Sequence, residues 1–314
     1  MPRVIKMAQA DIVQSAQSFW KVAASYYELC KPRVVALMVF TAWVGMLLAS
    51  PWQFPWQAFI FGTIGIAFMA ASAAAINHVV DRRIDAVMLR TKRRPLPTGH
   101  LSPMRCVTFA GVLGVIGMLS LVLWVNVLTA VLTFLSLIGY AFVYTLYLKR
   151  ATPQNIVIGG AAGATPPLLG WTAVTGQVDP YALVLFLIIF TWTPPHFWAL
   201  AIYRKEEYAK VDIPMLPVTH GEDFTRIQIL YYTVLLILVT FLPFLMGING
   251  VVYLIGALLL GGGFLYHAIM MWVTKSRRWA IKTFVFSIVY LLVLFAFLLF
   301  DRYLPLLLDR IPTI

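Results

Sequence analysis

Apolar stretches long enough to cross a bilayer recur along this whole 314-residue chain, and that recurrence leaves few folds open. A spanning helix needs roughly 20 consecutive, mostly apolar residues. Runs of that kind fall at about 34–50, 56–78, 104–123, 127–148, 155–174, 180–202, 228–247, 251–272 and 282–300. Inside a bilayer no water satisfies a loose N–H or C=O, so each run must close its own hydrogen bonds as a helix. The expected fold is all-α, a polytopic membrane protein of about nine transmembrane helices in one bundle. Composition agrees: 11% of the residues are charged, against about a quarter in a soluble domain. The run at 155–174 is rich in Gly and Ala and broken by Pro166 and Pro167. Breaks of this kind are tolerated where neighbouring helices satisfy the freed backbone groups.

A formal net charge of +12 invites a nucleic-acid partner, but the placement of the charges argues against nucleic acid. With the nine runs alternating across the bilayer, only Arg302 and Arg310 of the 24 Lys and Arg residues fall on one side. Short cytoplasmic loops collect Lys and Arg, so the amino end is expected in the cytoplasm and the carboxyl end outside. That is the arrangement of a bacterial-type inner membrane protein, with the lipid bilayer as solvent. Residues 1–30 form a cytoplasmic segment without a secretory signal. Phe19, Trp20, Tyr26 and Tyr27 there suit an interfacial helix over 8–30. Residues 31–303 form the helical domain and 304–314 a short outside tail. Cys30 and Cys106 lack metal-ligand spacing and read as incidental thiols.

Twelve acidic residues are present, none in the middle of an apolar run. Asp81 and Asp85 cluster after the second run, and Glu206, Glu207, Asp212, Glu222 and Asp223 after the sixth. Asn77, Asp81 and Asp85 are spaced by four, so a helix projects them from one face as a row of oxygen ligands about 12 Å long. They also sit at a helix carboxyl end, where the dipole disfavours negative charge. Two carboxylates there call for a cation, and oxygen-only ligands suit Mg²⁺, which commonly binds one or two carboxylates plus substrate phosphates. The plainer alternative is ion pairing with Arg82, Arg83, Lys92, Arg93 and Arg94 in a solvated loop. Regular spacing, the membrane edge and the second cluster favour a site. The basic residues then become clamps on diphosphate oxygens: Arg82, Lys92, Arg93 and Arg94, with Lys31, Arg33, Arg204 and Lys205 on the same side.

The pattern N-x-x-x-D-x-x-x-D after the second run, with a second acidic motif after the sixth, resembles the intramembrane prenyltransferase superfamily named for ubiquinone biosynthesis. Further stretches carry the likeness to its haem-farnesylating branch: Lys31-Pro32-Arg33, NHVVDRRID from Asn77, RRPLPTG from Arg93, TPQNIVIGGAAGATPPLLGW from Thr152, WTPPHFWALAI from Trp192 and IPMLPVTHG from Ile213. The resemblance covers nearly the whole chain. It implies a nine-helix prenyltransferase domain, Mg²⁺ as cofactor, and Asn77, Asp81 and Asp85 as catalytic metal ligands. It implies farnesyl diphosphate and haem B as substrates, and a haem A synthase or terminal oxidase as assembly partner. Aspartates at regular spacing usually form the second motif; here Glu206, Glu207 and Asp212 stand in their place, so Glu207 and Asp212 are its candidate metal ligands.

His196 follows Pro194-Pro195 within the sixth run and is a candidate acceptor contact, because polar groups inside spans are functional candidates. Asn155, opening the glycine-rich fifth run, joins it, while His78 reads as a hydrogen-bonded packing histidine. Gly159, Gly160 and Gly163 read first as sites of close helix packing. Three other functions compete. An aromatic-acid or quinone-precursor prenyltransferase would share the metal site. A transporter would place ionisable groups near the midplane, and a haem-binding subunit would leave both carboxylate clusters without a role.

Overall fold

A computed structural model of the chain describes residues 20–308. Phe19 and the rest of the proposed interfacial segment before it lie outside the described residues, as does the tail from 309; residues 20–29 form helix α1. The helices that follow are α2 (Pro32–Ala49), α3 (Ala58–Val87), α4 (Pro103–Trp124), α5 (Val127–Ala151), α6 (Asn155–Ala164) and α7 (Pro166–Thr175). They continue as α8 (Pro180–Tyr203), α9 (Lys205–Ala209), α10 (Leu216–Thr219), α11 (Glu222–Leu245), α12 (Val251–Thr274) and α13 (Arg277–Leu308). Among the described residues there is no strand.

Eight of these helices are long and apolar enough to cross a bilayer: α2 to α5, α8 and α11 to α13. The fifth apolar run, expected at 155–174, is the α6–α7 pair, two helices of ten residues each. Asn155 at its start donates to the Lys149 carbonyl at the end of α5, while Thr172 near its finish accepts from Asn126 between α4 and α5. Pro166 stands at the first position of α7, where a missing N–H costs a helix nothing. The break is held by very close packing on α2. A Cβ added to Gly170 would lie 2.0 Å from the Ala42 carbonyl oxygen, and one on Gly45 would lie 2.1 Å from that of Pro167. The glycines let the two backbones touch.

Two features position the site. The α5 helix winds as a π-helix over Gly139–Leu148, and α8 is the most enclosed crossing, packed by α6, α11 and α13. Helices α3 and α8 share almost no contact, and the space between them is a cavity of about 1420 Å³. At the opposite end of the bundle, the buried Asp301 carboxylate accepts from the Gly250 and Tyr253 amides and from Asn249, closing the start of α12.

Candidate active site

The last turns of α3 carry Asn77, Asp81 and Asp85, all buried at 3–4% exposure and all on the cavity wall. The four-residue spacing aligns them as the sequence predicts. Each already has a partner. Lys31 Nζ donates to Asn77 Oδ1, Asn77 Nδ2 donates to Asp81 Oδ2 at 2.9 Å, and Lys149 Nζ meets the same oxygen at 2.6 Å. Arg94 binds Asp85 Oδ2 at 2.7 Å. Asp81 Oδ1 stays buried with no partner. Arg94 and Lys149 thus face the two carboxylates with Lys31 on the amide beside them, and Arg33 and Arg90 also line the cavity, so basic side chains outnumber acidic ones at this end. Lys31, just ahead of α2, is lowered to a pKa of about 7 by burial first and by neighbouring Arg94 and Lys149.

Among the described residues no three His, Cys, Asp or Glu side chains gather as a metal cage. Two carboxylates and an amide oxygen nevertheless fit Mg²⁺, which completes its shell with substrate phosphate and water. The orphaned Asp81 oxygen is consistent with that donor set.

Other predicted residues are placed elsewhere. Arg82 is exposed and turns back to the Val79 carbonyl, and Lys92 and Arg93 are exposed off the cavity wall. Arg204 pairs with Glu207 at 2.9 Å, and Lys205 with Glu222 at 3.6 Å, so these two bases are spent on the second acidic cluster. Glu207 keeps Oε2 buried without a partner, whereas Asp212 is exposed on a left-handed turn (φ 51°). Neither lines the cavity, which Tyr208 reaches instead. Glu206 is tied outward to Arg277, and that hydrogen bond lowers its pKa. Asn155 is fully buried at the α5–α6 turn rather than on the cavity wall.

Sequence reasoning missed Lys149 as a site residue, and with it Tyr140 and Tyr144. All three line the cavity, and the two tyrosine rings stack at 5.6 Å. On an ideal α-helix the nine residues from Tyr140 to Lys149 turn to about 180° from the start. The π-helical segment brings them to one face. A π-bulge leaves no clear trace in periodicity, and such bulges concentrate at functional sites.

The chain matches the UbiA prenyltransferase family over residues 38–304. A relative from Alkalilimnicola ehrlichii, named protoheme IX farnesyltransferase, is 60% identical over 295 residues, covering 94% of this chain and 98% of its own. The chain belongs to the UbiA prenyltransferase family. It is therefore a prenyltransferase and an integral, multi-pass membrane protein. Solved structures share the fold. A digeranylgeranylglyceryl phosphate synthase superposes with a TM-score of 0.76 at 19% identity, covering 90% of this chain and 99% of its own. A UbiA homologue from Archaeoglobus fulgidus, bound to DMAPP and Mg²⁺, superposes at 0.60 and 16% identity, covering 87% and 99%.

In this UbiA family member the wall opposite α3 is aromatic. His196 stacks on Trp192 at 4.2 Å and on Phe284 at 4.6 Å, and its Nδ1 meets Ser287 Oγ at 2.6 Å. That contact fixes the ring and leaves Nε2 for other use. His78, expected as a hydrogen-bonded packing histidine, instead has both ring nitrogens buried on the cavity wall with no partner. Gly159 and Gly160 do serve close packing, against Tyr144 and Thr193, but Gly163 does not: an added Cβ there meets nothing within 4 Å.

Proposed function

We propose that this prenyltransferase transfers a farnesyl group from farnesyl diphosphate to a vinyl group of haem B, giving haem O. The observation that carries the reading is the cavity itself. A buried oxygen-ligand row with surplus cations stands at one end, and a histidine between aromatic rings stands on the opposite wall. Its volume of about 1420 Å³ exceeds the roughly 300–1,000 Å³ of an ordinary small-molecule pocket, which suits two substrates held together. The names of relatives at about 60% identity point the same way.

Asn77, Asp81 and Asp85 would hold Mg²⁺ in this reading; of the two second-motif candidates, both off the cavity wall, only Glu207 retains a buried free oxygen. The bound ion supplies charge neutralisation of the diphosphate leaving group. Lys31, Arg33, Arg90, Arg94 and Lys149 bind the diphosphate oxygens, Arg94 and Lys149 moving from carboxylate to phosphate as it arrives. The allylic C–O bond breaks with its electron pair leaving on diphosphate. Stacked Tyr140 and Tyr144 present ring faces that favour a nearby cation, and the enclosed site withholds water at this stage. The vinyl π electrons form the new C–C bond, and water adds to the adjacent cationic carbon and loses a proton. His196, its Nδ1 held by Ser287, orients the haem through Nε2.

The surplus of Lys and Arg around this end supports a cytoplasmic diphosphate site, with the amino end inside and the carboxyl end outside. The decisive experiment incubates the purified protein with Mg²⁺, labelled farnesyl diphosphate and either haem B or 4-hydroxybenzoate. Label in haem is the expected result; label in 4-hydroxybenzoate alone overturns the acceptor.

A further inference from the structure

Away from the central cavity, the outer face of the bundle carries a groove between α12 and α13. It holds about 400 Å³ and is lined by His267 of α12 and by Lys282, Val285, Phe286 and Val289 of α13. Lys282, Val285 and Val289 are exposed at its mouth. Packing sets its walls. A Cβ on Gly263 would lie 2.8 Å from the Phe286 ring, so α12 and α13 close on each other through that glycine. The Phe286 ring stacks on His267 at 4.5 Å, and His267 Nδ1 donates to the Gly263 carbonyl at 2.9 Å. Trp279 meets His267 edge-on at 5.6 Å and carries Lys282 Nζ 4.5 Å above its ring. A groove whose walls are already ordered loses little entropy when it fills.

The bases near the α12–α13 turn divide into two sets. Arg277 holds Glu206, Lys275 holds Asp223, Lys205 and Arg226 hold Glu222, and Arg204 holds Glu207. Arg278 and Lys282 are exposed and have no carboxylate partner among the described residues. Four residues apart, they share one face of α13, and Val285 and Val289 follow along that face. With 32 residues α13 is about 48 Å long, against about 30 Å of hydrocarbon, so its first turns stand in the headgroup layer. Lys282 lies about 8 Å along the helix and Val289 about 18 Å. The face therefore turns from cationic to apolar along the same path on which a lipid turns from phosphate to acyl chain.

We propose that this groove is a binding site for an anionic glycerophospholipid. The phosphate sits on Lys282 and Arg278, and an acyl chain lies over Phe286 along Val285 and Val289. Basic recesses between spanning helices favour headgroups of this charge. A lysine that only snorkels would carry its ammonium away to water, whereas Trp279 holds this one over the mouth of the groove. The other side of α13 presents Phe284 and Ser287 to His196, so lipid in the groove braces the helix that supports that ring.

The test titrates the full-length protein, delipidated in detergent, with phosphatidylglycerol, phosphatidylcholine or inorganic phosphate. Native mass spectrometry counts lipid adducts and a thermal scan follows unfolding. Phosphatidylglycerol should form a one-lipid adduct and raise the melting temperature, as a ligand of the folded state does, and phosphatidylcholine should bind more weakly. Lys282→Met should weaken the adduct about fivefold and the Arg278→Met, Lys282→Met double variant about 25-fold, from the worth of each cation near a charged bilayer surface. Lys282→Arg should retain it, and Arg93→Met, exposed at another place, should leave it unchanged. Val285→Trp and Val289→Trp fill the groove from its mouth and keep both cations, so each should abolish the adduct with lipid-free melting close to wild type. Wild-type phosphatidylglycerol affinity in the double variant and in both tryptophan variants overturns the proposal. So does equal binding of phosphatidylcholine, because the groove would then select no charge. Full displacement of the adduct by inorganic phosphate overturns it too, leaving a surface anion site with no lipid in the groove.

Discussion

Asp81 accepts from Lys149 and from Asn77 at once, and Asp85 is gripped by Arg94, so both carboxylates wait for substrate already paired. Asp81→Asn and Asp85→Asn should each lower farnesyl transfer by about a hundredfold or more, the scale of losing a group that stabilises developing charge. Turnover within a few-fold of wild type would remove the metal-ligand role. The helix dipole alone suggests that neutralising these aspartates stabilises the fold, but the ion pairs reverse that sign. Asp81→Asn strands a mostly buried ammonium, so a modest drop in melting temperature should accompany the lost activity. The arginines divide in the same way. Arg94→Ala should raise the KM for farnesyl diphosphate at least tenfold, about 1.4 kcal/mol, while Arg93→Ala, exposed and off the wall, should not. Equal effects at the two positions would mean that Asp85 does not select its arginine. For His196, the measurement is the haem absorption spectrum. His196→Ala should lose the shift that haem shows on binding and weaken haem affinity, with farnesyl diphosphate affinity intact. A wild-type spectrum would leave the ring as packing between Trp192 and Phe284.

Helices deliver these groups by departing from ideal geometry at defined places. The π-helical stretch of α5 turns Tyr140, Tyr144 and Lys149 to a single face, with the Thr145 hydroxyl bonded to the Tyr140 carbonyl five residues back. The α6–α7 break keeps its place because α2 and α7 touch backbone to backbone at Gly45 and Gly170. Gly170→Ala drives a methyl into a carbonyl that cannot yield, so it should destabilise by about 3 kcal/mol, at the upper end for overpacking. A thermal scan in detergent showing no change would mean the two helices separate freely. At the other end of the bundle, Asp301→Ala removes the acceptor that closes the start of α12. Charge-assisted bonds of that kind contribute about 1.5–3 kcal/mol. The variant should melt earlier while its KM values for both substrates stay unchanged, since Asp301 is off the cavity wall.

At the level of the assembled bundle, the cavity exists because α3 and α8 are held apart while α5, α6 and α7 close one side and α13 another. Its charged end coincides with the end that collects Lys and Arg, and the orientation proposed from this can be measured on intact cells. In a cysteine-free background, Gln177→Cys lies in the exposed turn after α7 and Lys275→Cys in the exposed turn before α13. A membrane-impermeant maleimide should label the first and not the second until the cells are opened. The reverse pattern would put the diphosphate site outside.

Periodicity and length read from the chain determined the helical runs, eight of which are single spanning-length helices among the described residues while the weak fifth is the broken α6–α7 pair, because a bilayer forces every spanning segment to satisfy its backbone alone. The same local regularity determined the Asn77–Asp81–Asp85 row, since residues four apart on one helix face one way whatever packs around them. Only the tertiary structure decided which cations meet that row. Arg94 and Lys149 reach it while Lys92, Arg93 and Arg82 do not, and sequence distance says nothing of this when one partner is 68 residues away. It also decided that Arg204 and Lys205 pair with Glu207 and Glu222. Lys149 was illegible for a further reason: its direction depends on a π-helical winding that tertiary packing supports and that a 3.6-residue period cannot express.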